Sequence, residues 1–65
     1  MTIHAVAQSL TGSDAIATAQ IIADRNGAPV AILEGAVSYL IIEDAEAFEE
    51  AITAGWSDYA VVDPQ

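Results

Sequence analysis

Polar and apolar positions alternate roughly one for one through "TIHAVAQ", residues 2–8, and β-branched side chains are frequent there, which predicts a first strand. "LTGS" breaks that pattern. Ser13 is placed to cap a helix, with Asp14 in the first turn where the helix dipole favours a carboxylate. In "DAIATAQIIADRNG" the period lengthens: Ala15, Ile16, Ala19, Ile22 and Ala23 share one face, opposite Asp14, Thr18 and Arg25. Asn26-Gly27 supplies the left-handed ending and Pro29 confirms the stop. Ile21 breaks the pattern by lying between Thr18 and Arg25, either as an ordinary exposed isoleucine or as an apolar contact for another chain.

"PVAIL-EG-AVSYLII" reads as two strands joined at Glu34-Gly35, a short hairpin in which Gly35 tolerates positive φ. Both strands are apolar at nearly every position. They therefore belong in the middle of a sheet, or have a second face covered by something else. A second helix opens with Asp44 as N-cap, buries Ala45, Phe48 and Ile52 at i, i+3, i+7, and ends at Gly55. "WSDYAVVD" is a final strand stopped by Pro64. The order β-α-β-β-α-β predicts a small α+β domain, an antiparallel sheet with two helices on one face in a miniature ferredoxin-like arrangement. A three-stranded sheet with a loosely attached end strand is the alternative. No repeat or linker divides the chain, so residues 1–65 are expected to form a single domain.

At 65 residues this is a small unit. Such a domain buries only about 60% of the surface its unfolded chain exposes. Without cysteine it has no disulfide or Cys-based zinc site to staple it. The 54% hydrophobic content is what makes independent folding expected, since disordered acidic tails lack it.

Charge changes the picture most. Ten acids against one Arg give a formal net charge of −9. That balance excludes ordinary binding to DNA or RNA, which needs Lys and Arg to displace counterions, and excludes an anionic membrane surface. The N-terminus lacks a positive n-region with a long apolar core, and no apolar run approaches the roughly 20 residues of a membrane helix. A cytoplasmic protein is expected. What remains is a partner with a basic surface, a cation, or charge serving solubility alone.

The acids concentrate in "IIEDAEAFEEAI", residues 41–52, with five carboxylates between Glu43 and Glu50 and no Lys or Arg within it or after it. Glu46, Glu49, Glu50 and Thr53 fall at i, i+3, i+4, i+7, opposite Phe48 and Ile52, and Glu43 and Asp44 crown the N-terminus. Like charges at these spacings destabilise an isolated helix by a few tenths of a kcal/mol, roughly, per pair. A solvated acidic face usually mixes in Lys at i+4, and this one does not. A row of carboxylates on a rigid helix can imitate a phosphate strand and enter a basic groove built for nucleic acid.

Other chemistry finds less support. "EDAEAFEE" offers oxygen ligands but lacks the D-x-D-x-D-G calcium loop, and carboxylates along one helix point in parallel rather than converging, so no metal and no cofactor is expected. His4 is the one histidine. Ser9, Ser13, Ser38 and Ser57 sit in no G-x-S-x-G frame and no Gly-rich phosphate loop is present, so a non-enzyme is expected. Trp56, following Gly55, either folds back on Ala51 or Ile52 or offers an aromatic hot spot beside the acidic helix, with Tyr59 nearby.

The stretch Ile16–Leu40, "IATAQIIADRNGAPVAILEGAVSYL", resembles the helix-then-hairpin part of Phd/YefM-type antitoxins, which bind operator DNA through their N-terminal half. In that half this chain carries only His4 and Arg25 as basic side chains. In whole-chain character it resembles small, acidic, cysteine-free phage-encoded anti-CRISPR proteins that act on type I surveillance complexes, some as DNA mimics. That resemblance implies that Glu43, Asp44, Glu46, Glu49 and Glu50 face the basic DNA-binding surface of a Cas subunit, with Asp58 and Asp63 extending the patch. The expected protein is then a monomeric inhibitor with no direct nucleic-acid contact. The rival is an antitoxin-like or phage accessory interaction module that dimerises through its apolar hairpin or Ile21.

Overall fold

A computed structural model describes residues 5–65. It contains, in order, β1 (Ala7–Ser9), α1 (Gly12–Asn26), β2 (Val30–Glu34), β3 (Tyr39–Ile42), α2 (Ala45–Thr53) and β4 (Ser57–Val62). The strands form one antiparallel sheet in the order β1-β3-β2-β4. The α+β class, the element order and the antiparallel sheet are those the sequence predicts. The first strand starts later than expected, at Ala7: Ala5 and Val6 are described but lie outside it, and the rest of the expected span, Thr2 to His4, falls outside the described residues.

The placement of the helices differs from expectation. They lie on opposite faces of the sheet, not on one. Ala15, Ala19 and Ala23 of α1 pack with Val30, Ile32, Ile41 and Val62, whereas Ala47 and Ala51 of α2 pack with Leu33, Leu40 and Ile42. Adjacent strand residues therefore feed different cores, as the two-residue period of a strand requires. Topology gives the reason. The β1–α1–β2 connection steps over β3, and β3–α2–β4 steps the same way over β2 from a strand of opposite sense. Two crossovers of the same hand arranged like this must use opposite faces. In the ferredoxin-like arrangement β4 returns beside β1; here it pairs with β2. The near-continuous apolar run of β2 and β3 is explained by a layer on each side.

Both helices approach the sheet through alanine. Ala15, Ala19, Ala23 and Ala51 are fully buried, while Ile16 is 44% and Ile52 41% exposed. The larger residues of the expected stripes sit at the flanks, because small side chains let the helix axis come closer to the sheet. Ala45 is exposed as well, and Phe48 half-buried. Ile21 is exposed, as its place on the polar face of α1 implies.

The caps follow local chemistry with one shift. Thr11, not Ser13, caps α1: its hydroxyl accepts the Asp14 N–H at 3.1 Å and its carbonyl accepts from Ala15 at 3.0 Å. Gly12 opens the first turn, and Tyr59 and Tyr39 pack where a side chain there would sit. At the other end Gly27, with φ 66°, donates to Ala23 O at 2.8 Å. Asp44 caps α2 as predicted, accepting from Ala47 N–H at 3.3 Å. Gly55, with φ 107°, ends it: Trp56 N–H donates to Ala51 O at 3.0 Å and Gly55 N–H to Ile52 O at 3.1 Å, the paired bonds of a Schellman motif.

The hairpin turn is longer than the predicted two-residue loop. Residues 35–38 connect β2 to β3, closed by Gly35 N–H donating to Ser38 O at 2.8 Å. Gly35 does not take positive φ. Buried Ser38 accepts from Gln8 Nε2 at 2.8 Å, which ties the turn to β1.

Candidate functional site

The acidic residues predicted to meet a partner gather on the α2 side of the molecule. Glu46, Glu49, Glu50 and Thr53 line one surface hollow of about 320 Å³, the grouping their helical spacing requires. Glu46 and Glu49 are exposed and Glu50 is half-buried. Glu50 Oε2 is buried and has no hydrogen-bond partner among the described residues. A carboxylate oxygen withdrawn from water and left unpaired costs stability that an incoming cation would restore.

Glu43 and Asp44 stand at the N-terminus of α2, but each has local work. Asp44 caps the helix, and Glu43 Oε1 accepts a hydrogen bond from Asn26 Nδ2 at the end of α1. Asp58 pairs across the ladder with Leu33, whose side chain belongs to the α2 core, so Asp58 faces the same side as the helix. Asp63 is held toward α1: Gln20 Nε2 donates to its carbonyl at 2.9 Å. Arg25 lies on α1, across the sheet from this surface. Nothing cationic in the described part of the chain neutralises the α2 face.

Trp56 is half-buried and packs against Leu33, Leu40, Ile42, Ala47 and Ala51 as part of the α2 core. Its ring also lies against Gly35 in the hairpin turn. Its partly exposed edge is what remains for a partner to touch.

Beside the acidic hollow is an apolar groove of about 270 Å³ between α2 and β4, floored by Pro29, Ala31, Phe48 and Val61 and bordered by Glu43, Asp44 and Glu49. Sequence reasoning missed it. A β-bulge makes it: Ile32 pairs with Ala60 but Leu33 with Asp58, which leaves Tyr59 as the extra residue. Past the bulge Val61 falls opposite Ala31 on the α2 side, whereas strict alternation from Ser57 would set it beside Tyr59. Tyr59 turns to the α1 side, its ring edge-on to Tyr39 at 5.0 Å.

The Tyr39 hydroxyl donates to Glu34 Oε2 at 3.2 Å. That bond, then burial, then the carboxylate's charge raise the Tyr39 pKa above its usual value. Among the described residues, no group of three or more His, Cys, Asp or Glu side chains is placed to hold a metal ion, and no helix is long and apolar enough to cross a membrane. Charge and an apolar groove lie side by side on this surface. No family model, curated protein or solved structure matches this chain.

Proposed function

We propose that this protein is a non-enzymatic acidic inhibitor that imitates a DNA phosphate strand and occupies the basic DNA-recognition surface of a nucleic-acid-binding protein. The observation that carries the reading is the face shared by Glu46, Glu49 and Glu50, which among the described residues has no cation beside it and holds an unpartnered buried oxygen on Glu50. Asp58, on the same side of the sheet, adds to that field. A partner lined with Lys and Arg supplies what the face lacks, and the long-range field speeds the encounter. The resemblance to small phage-encoded anti-CRISPR proteins names the partner class: a Cas subunit of a type I surveillance complex, met in the cytoplasm of a bacterial host by a monomer of this chain.

The test is target-DNA binding by a purified type I complex, with and without the protein, at two salt concentrations. Loss of DNA binding at low salt, relieved at high salt, supports the reading. Full inhibition by the triple variant Glu46→Gln, Glu49→Gln, Glu50→Gln overturns it.

A dimerising, antitoxin-like module is the second reading, favoured by one observation: Ile21, 59% exposed on the polar face of α1. Its other proposed contact, the apolar hairpin, has its strands covered by a helix on each face of the sheet, which leaves Val37 in the turn exposed. Light scattering separates the two readings, a monomer supporting the mimic and a tight dimer the module.

A further inference from the structure

We propose that the groove between α2 and β4 seats one apolar side chain of leucine size from a partner segment that carries Lys or Arg on either side of it. The inference rests on the acidic-inhibitor reading and names how the partner is gripped. The floor is an exposed apolar surface: Val61 is 60% exposed, and Ala31 and Phe48 beside it are half-buried. At about 270 Å³ the groove falls below the roughly 300–1,000 Å³ of small-molecule sites, which suits a side chain better than a cofactor.

Charge complementarity selects the occupant. Glu43 and Glu49 stand on the rim, and Glu49 also lines the acidic hollow, so the two surfaces are continuous. A second copy of this chain would bring a further −9 charge to that rim. Nucleic acid is repelled for the same reason. A basic protein segment with one apolar residue satisfies both the floor and the rim.

The two surfaces would divide the work of binding. Rim and hollow carboxylates set the encounter rate and its salt dependence, while a desolvated apolar anchor slows dissociation. The apolar part of the affinity should therefore survive at salt concentrations that abolish the rest.

The probe is a set of pentapeptides titrated into isotope-labelled protein and followed by amide chemical shifts. One has leucine between two pairs of lysines, a second has glycine in place of the leucine, and a third has glutamine in place of the lysines. The leucine–lysine peptide should bind about tenfold tighter than the glycine form. Its shifts should centre on Ala31, Phe48 and Val61, and Val61→Ser should remove most of the tenfold advantage. The glutamine form should bind more weakly than the lysine form at low salt. Equal binding of the leucine and glycine peptides, shifts confined to Glu46, Glu50 and Thr53, or no binding by any of the peptides overturns the groove inference. The acidic-inhibitor reading is decided separately, by the triple glutamine variant in the DNA-binding assay. Full inhibition by that variant removes the reading whatever the peptides do, and loss of inhibition with equal peptide binding leaves the reading without the groove.

Discussion

The indole of Trp56 occupies the space where a side chain at Gly35 would begin. A Cβ built on Gly35 would lie 2.8 Å from Cε3 and from Cη2 of the ring, with Cζ3 closer still. The end of α2 and the β2–β3 turn are thus locked to each other by a missing methyl group. Gly35→Ala is expected to push the ring out and cost about 1–3 kcal/mol, the usual range for overpacking. Denaturant unfolding followed by Trp56 fluorescence measures both the loss and the change in ring environment.

The alanine seam of α1 makes an unequal pair of substitutions. Ala19→Leu drives a larger side chain into fully buried space and should destabilise by about 1–3 kcal/mol. Ile16→Gln, at a position 44% exposed, should stay within about 0.5–1 kcal/mol. Thermal unfolding of the two variants side by side checks the asymmetry. Equal effects would mean that the helix does not meet the sheet through its alanines.

On α2, function and stability should pull in opposite directions. Glu49→Lys replaces a repulsive neighbour of Glu46 at i, i+3 with an attractive one in the middle of α2. A gain of about 0.3–0.5 kcal/mol is expected. The same change removes a carboxylate from both the hollow and the groove rim. Inhibition of target-DNA binding should fall as stability rises, and a variant that gains in both would argue against the acidic face as the binding surface.

Tyr39 gives a pH signature. Its pKa is raised in the folded chain above the ordinary tyrosine value of about 10 by the hydrogen bond to Glu34. The stability it contributes is therefore fully present below about pH 10, the unfolded value, and is lost as pH rises through the higher folded value. Tyrosinate absorbance should show one tyrosine ionising late, and Glu34→Gln should bring that titration back toward the ordinary range.

How much of this was legible follows from what a short sequence can encode. Element order was readable because each boundary carries its own chemistry, as at Asp44 or at Asn26-Gly27. The grouping of Glu46, Glu49, Glu50 and Thr53 follows from helical period alone, and the structure places them on one hollow. The choice of face for α2 was not readable, since it depends on whether β4 pairs with β1 or β2, a decision between distant segments. The continuous apolar run of β2 and β3 held the clue, because a sheet bare on one face has no use for it. The groove was hidden for a related reason. A one-residue bulge at Tyr59 reassigns Val61 to the opposite side, and no turn residue marks the bulge.

That bulge has a second effect. β4 is one of the two edge strands of the sheet, and exposed Tyr59 and Val61 would make it an inviting template for strands of other chains. The extra residue interrupts the even spacing of its backbone groups, and Asp58 sets a charge beside the break. An edge interrupted in this way is a poorer template for a regular cross-β stack than an even strand would be, which matters for a chain more than half apolar by residue count.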